Sequence, residues 1–186
     1  MILDRASALE LLRKHIKNER MINHSLSSEA VMRALAIRLG RNADSWAQAG
    51  LLHDLDVEFT NANPLTHGTT AAKWLEEMGF DADIVDAIGM HNEEATGKER
   101  FNEFQHALAA GETITGLISA TAMVYPDKKV ASVKPKSVVK RMKERAFAAS
   151  VRRESILECE LIGIPIDEFA GIAIAAMSEI ADEIGL

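Results

Sequence analysis

The chain has 186 residues, 47% hydrophobic and 26% charged, with a formal net charge of −7. That balance suits one soluble globular domain with a sizeable core, and no apolar run approaches the roughly 20 residues of a membrane span. The lone cysteine, Cys159, excludes an internal disulfide framework and a cysteine-based zinc knuckle; with no basic-then-apolar stretch at the N-terminus, it points to a reducing cytoplasm.

Apolar residues recur at helical spacing almost throughout. Asp4 caps a first helix with Ala8, Leu9, Leu12 and Ile16 on one stripe. A second starts near Ser25–Ser28, carries Ala30, Val31, Ala34, Leu35 and Leu39, and stops at Gly40. Asp44 caps a third, Ser45 to about Asp54, with Trp46, Ala49, Gly50 and His53 in register. Asp56 to Thr66 reads as a loop because of Asn61, Asn63 and Pro64. A fourth helix spans His67–Met78 and ends at Gly79; Asp81 or Asp83 caps a fifth leading to His91; Asn92–Arg100 is a polar connection. A long helix from about Phe101 to Tyr125 is stopped by Pro126. A basic helix from about Lys136 to Ala149 follows Pro135. Ser150 caps a short helix through Cys159, and Pro165 and Asp167 open the last, with Phe169, Ile172, Ala176 and Ile180 as its stripe. No segment alternates like a strand, so the pattern predicts a single all-α domain over residues 1–186, a bundle of about seven to nine helices.

Within Leu51-Leu52-His53-Asp54-Leu55-Asp56, an imidazole and a carboxylate stand side by side at an apolar helix end. Burying either costs several kcal/mol unless something pairs with it, and a divalent metal pairs with both. Polar groups of the same kind recur at His24, His67, His91 and Glu112. Most of them fall at predicted helix ends, from which side chains converge between helices as in bundle-core metal sites. His15 and His106 lack motif support and read as structural. Thr113 and Thr115, beside Glu112, bond either a substrate or the preceding turn.

The charge is uneven: Lys128 to Arg153 holds ten Lys or Arg and one acid, Glu144. Such a strip is either a solvated helix face or an attractor of phosphate. Lys134, Lys136, Lys140 and Arg141 are the candidates for a substrate phosphate. Phe147 is the sole aromatic residue in the strip, which argues against nucleic acid.

The constellation resembles the HD superfamily of metal-dependent phosphohydrolases. Its pattern is a His, a His-Asp pair and a distal Asp, with two further His in the two-metal branches. Here it reads His24, His53-Asp54, His67, His91 and Glu112. The runs Ala49-Gly50-Leu51-Leu52 before the pair, His91-Asn92-Glu93 and Ala107-Leu108-Ala109-Ala110-Gly111-Glu112 also look like the family's surroundings. The resemblance spans about His24 to Ile118, giving a motif core of about 20–125 and a basic helical extension of about 128–186, whose stretches Val133 to Arg153 and Glu160 to Ala170 look like a small bacterial subfamily of predicted HD hydrolases. It implies an HD-type bundle holding one or two divalent ions (Fe, Mn, Zn or Mg), with Asp54 as bridge. His24, His53 and Glu112 would complete one site, and His67 and His91 the other. The reaction implied is attack of metal-activated water on a small phosphomonoester or nucleotide, with Asp54 and Asp56 as catalytic carboxylates, Asp56 acting as general acid or orienting water. Two departures stand out. Glu112 replaces the distal Asp and reaches over ~1 Å further, a C–C bond being ~1.5 Å. The Lys that some family phosphodiesterases place after the pair is absent from Asp56, Val57 and Glu58, which argues against a cyclic-dinucleotide substrate. An HD-type di-iron oxygenase and a non-catalytic signalling module of the same fold are the alternatives, and the oligomeric state is left open.

Overall fold

The computed structural model describes residues 1–186 as eleven α-helices with no strand: α1 (Arg5–His15), α2 (Glu19–Leu39), α3 (Ala43–Leu52), α4 (Thr69–Glu77), α5 (Ala82–Met90), α6 (Glu93–Thr96), α7 (Glu103–Met123), α8 (Pro135–Met142), α9 (Arg153–Leu157), α10 (Ile166–Glu179) and α11 (Ala181–Ile184). The count exceeds the expected seven to nine because α6, α9 and α11 are pieces of four or five residues. No helix is long and apolar enough to cross a membrane.

Side-chain caps decide five of the eleven starts. Asp4 accepts from the Ser7 amide at the head of α1. Asn18 accepts from the Arg20 amide, so α2 begins six residues before Ser25 and His24 lies inside it rather than at its start. Asn42, not Asp44, caps α3, accepting from the amides of Asp44 and Ser45. Asn102 and Gln105 form a reciprocal capping box on α7. The basic helix α8 ends at Met142 rather than Ala149. Beyond it the chain wraps around the buried Arg153 guanidinium, which donates to the carbonyls of Glu144 (3.4 Å), Phe147, Ala148 (2.7 Å) and Val151 (2.6 Å). That wrapping also moves the start of the next helix from Ser150 to Arg153.

One buried cluster of 41 hydrophobic residues runs from Ala8 to Ile184 and includes Val130, Ile156 and Phe169 of the basic extension. α2 packs on α3, α7 and α10. Its approach to the first two is set by small residues. A Cβ on Gly50 of α3 would lie 2.5 Å from the Ser28 carbonyl oxygen, and one on Gly111 of α7 would lie 2.8 Å from Met32 Sδ. Met32 is thus clasped between two glycines, which draws together the helices that carry His24, His53 and Glu112.

Candidate metal centre

Four imidazoles and two carboxylates meet where α2, α3, α5 and α7 converge. Each ring is fixed from behind through Nδ1. His53 Nδ1 donates to the Gly50 carbonyl (2.8 Å) and His91 Nδ1 to that of Ile88 (2.6 Å), each one turn back along its own helix. His67 Nδ1 donates to Asp56 Oδ1 at 2.7 Å. His24 Nδ1 lies 3.0 Å from Thr115 Oγ1, whose own proton goes to the Glu112 carbonyl (2.6 Å), so the imidazole donates. With all four Nδ1 atoms donating, all four Nε2 atoms turn inward. His24 Nε2 and His53 Nε2 are 3.2 Å apart, and His67 Nε2 and His91 Nε2 are 3.3 Å apart. Across the His24–His53 contact two lone pairs gain nothing from each other, whereas a shared cation satisfies both; ligating His residues are oriented in this way, through the opposite nitrogen.

The donor atoms fall into two groups, each within 4.8 Å: His24, His53 and Glu112, and Asp54, His67 and His91. Asp54 reaches both. Its Oδ1 is 3.0 Å from His67 Nε2 and 3.6 Å from His91 Nε2, and its Oδ2 is 3.6 Å from His24 Nε2. Burial alone would raise the Asp54 carboxyl, but the imidazoles of His53, His67, His91 and His24 hold it well below the usual range. Burial pushes His53 down to about 3, keeping the ring neutral and its Nε2 lone pair free at pH 7. His67 resists the downward pull of burial because Asp54 and Asp56 flank it, and it is pushed up to about 10. The donor set fits divalent cations: four imidazole nitrogens and two carboxylates in two groups of three, with the ionised Asp54 at the centre, and a bound cation would displace the proton that Asp54 and Asp56 otherwise hold on His67.

Asp56 does not face the centre. It is fully buried, and beyond His67 its other oxygen accepts from the amides of Gly68 and Ala71 (2.9 Å each), two of the unpaired donors at the start of α4. Its oxygens thus meet His67 and the α4 amides rather than the space between the donor groups, the placement of a residue that positions His67 and not that of the expected general acid or water-orienting group. The turn there needs Gly68, at φ +85°, since a Cβ would sit 2.7 Å from His91 Cε1. Asn92 ties the same loop to the end of α5 by donating to the carbonyls of Pro64 (2.8 Å) and His67 (2.9 Å).

Glu112 is the loosest member. Its Oε2 is 3.7 Å from His24 Nε2, and its Oε1 accepts the Thr113 hydroxyl. Burial pushes its carboxyl up. A cavity of about 210 Å³ opens beside it, lined by His24, His91, Glu112, Thr113, Gly116, Ser150, Val151, Arg152 and Ser155. Lys134, Lys136, Lys140 and Arg141 are not among these. Arg141 stacks 3.8 Å over the Phe147 ring and pairs with Glu144 at 3.1 Å. Lys140 is exposed beside Glu144, and Lys134 and Lys136 are exposed at the start of α8.

Sequence reasoning missed Arg100 and Glu158. Arg100, with 4% of its side chain exposed, donates to the carbonyls of Met90 and His91 (3.1 Å each) and pairs with Glu158, which also accepts from His106 Nδ1 (2.8 Å). This strut fixes the end of α5 that carries His91. Nothing in the spacing of a lone Arg in a polar connection announces it. His15 stands apart, its ring 5.0 Å from that of Trp74.

A family model described as "HD domain" matches residues 21–142. Among curated proteins the chain is similar to "Ribonuclease Y 2" of Levilactobacillus brevis, 28% identical over 98 residues, which are 53% of this chain and 18% of that protein. It is also similar to "Ribonuclease Y" of Fusobacterium nucleatum subsp. nucleatum, 22% identical over 76 residues, 41% of this chain and 15% of that one. The chain thus spans less than one fifth of the length of either relative.

Proposed function

The chain belongs to the HD domain family, and on that premise we propose that it hydrolyses a small phosphate ester, a phosphomonoester or nucleotide, using one or two divalent metal ions. The observation that carries this reading is the set of four rings anchored through Nδ1, with Nε2 atoms paired at 3.2 and 3.3 Å around Asp54. Bound ions would lower the pKa of a coordinated water and offset phosphoryl charge. His24, His53 and Glu112 would hold one ion, and His67 and His91 the other, with Asp54 shared because its oxygens reach both groups, Oδ1 lying near His67, His91 and His53 and Oδ2 near His24. Asp54 stays ionised across the neutral range and supplies the negative charge that draws cations in. His53 stays neutral and binds without first losing a proton. Asp56 and Thr115 position His67 and His24. The polar cavity leading to Glu112 admits the phosphoryl end of a substrate. The single buried cysteine suits a reducing cytoplasm.

Elemental analysis of the purified protein, followed by turnover of p-nitrophenyl phosphate and a panel of sugar phosphates and nucleotides with Mn, Fe, Zn and Mg, tests the reading. Metal-dependent phosphate release is expected; a metal-loaded protein inert across the panel overturns it. A second reading, cleavage of an RNA phosphodiester, is favoured by the names of the two relatives and is tested by adding a labelled oligoribonucleotide to the same assay.

A further inference from the structure

One cation lines the cavity beside the metal centre, and the expected phosphate-binding set did not include it. Arg152 stands at the rim with Ser150 and Ser155, across from Thr113 and Glu112. Its backbone is fixed, because the preceding turn is wrapped around the buried guanidinium of Arg153. Its own guanidinium is not. The one carboxylate near it, Glu94 Oε1, is 3.7 Å from Nη1, with both side chains 57% exposed. An ion pair so open to water contributes little, so the fork can turn to another anion at small cost. Arg100 and Arg153 contrast with it: Arg100 is held by the carbonyls of Met90 and His91 and by Glu158 and Glu93, and the two terminal nitrogens of Arg153 by backbone carbonyls. The cavity is also small and polar, with Val151 as its apolar contributor and no Phe, Tyr or Trp in its lining; its rings are the His24 and His91 imidazoles of the centre itself. Pockets that enclose drug-sized ligands run about 300–1,000 Å³, and this one is about 210 Å³.

Resting on the phosphohydrolase reading, we infer that Arg152 is the substrate-binding residue that grips the phosphoryl group from the cavity rim and makes the site selective for phosphomonoesters over diesters. A monoester presents three terminal oxygens and a diester two. A cation standing outside the ligand cluster therefore finds a free, charged oxygen on the monoester after the centre has taken its share. The planar fork of Arg matches two such oxygens at once. The alcohol portion of the substrate is small and polar, since apart from Val151 the lining around Arg152 and the centre is serine, threonine and glycine.

The test compares wild type, Arg152→Ala, Arg152→Lys and Arg145→Ala, the last a control at a side chain 90% exposed. Three readouts are used: metal-to-chain stoichiometry, calorimetric binding of inorganic phosphate, and KM for p-nitrophenyl phosphate against bis(p-nitrophenyl) phosphate. Arg152→Ala is expected to keep its metal and fold, and to weaken both phosphate binding and the monoester KM by about tenfold, the scale of one charged hydrogen-bonding group partly open to water. The diester KM should move by less than about threefold, and Lys should restore part of the loss, having the charge without the fork. Equal phosphate affinity in wild type and Arg152→Ala, or equal losses for monoester and diester, overturns the inference while leaving the hydrolase reading intact. Metal-loaded wild type that neither binds phosphate nor releases it from the monoester overturns both.

Discussion

The two halves of the metal centre are built to different tolerances. The half formed by Asp54, His67 and His91 is braced on every side. His67 is held by a carboxylate that is itself saturated, His91 by a carbonyl of its own helix, and the end of that helix by Arg100. The half formed by His24, His53 and Glu112 shares the rigid His53, but Glu112 faces a cavity and is engaged by its neighbour Thr113. A ligand that is already oriented loses little freedom on binding, whereas one that must be recruited loses more. The braced half should therefore bind the tighter ion, and the open half, beside the cavity, the ion nearer to substrate.

The strongest challenge to that comparison is Asp54→Ala, which removes the carboxylate common to both halves. Metal content should fall toward zero and phosphate release by on the order of 10³-fold or more, the several kcal/mol that metal assistance supplies. Retention of one tightly bound ion would show that the halves do not share it. Next is Glu112→Ala. Stoichiometry should drop from two ions to one, read by elemental analysis, while the remaining ion keeps its affinity. Loss of both ions would erase the distinction. Asp56→Asn should weaken the braced half by about 10- to 100-fold, as removal of a partner behind a ligating His does elsewhere, and should leave the open half untouched in a metal titration.

The effect with least bearing on the ions is on stability alone, at the strut behind His91. Against the upward push of burial, Arg100 and His106 hold the Glu158 carboxyl below the ordinary glutamate value of 4.5. A depressed carboxyl contributes stability above its unfolded pKa and loses it as pH falls through the folded one. Glu158→Gln should therefore cost about 3 kcal/mol near neutrality, the scale for breaking a mostly buried pair. The gap from wild type should close below pH 4.5. Denaturant unfolding at several pH values checks this, and a gap that persists into acid would contradict the linkage.

Much of this was legible in the sequence, for physical reasons. Helical periodicity reports burial, so the stripes of α1, α7 and α10 emerge directly. The His-Asp pair stands out because two ionisable groups on an apolar run demand a partner. The start of α2 was hidden because Glu19, Arg20 and Asn23 break the apolar pattern there, while the signal that decides it is one Asn18 cap. The end of α8 is hidden because its cause, Arg153, lies eleven residues beyond Met142, where the helix expected from charge and Pro135 actually stops, and acts through carbonyls that no periodicity encodes. The phosphate-binding candidates were drawn from charge density alone, and density does not distinguish a cation facing solvent from one at a cavity rim.

Gly50 carries a consequence of its own. It gives α3 its close approach to α2 and also supplies the carbonyl that orients His53. The gap between the rings of His24 and His53 is thus gauged by a position with no side chain at all. A scan that truncates side chains one by one to find what this protein cannot do without would add a methyl group here instead of removing one, and would drive the two helices apart. One of the tightest tolerances in the molecule is written as an absence.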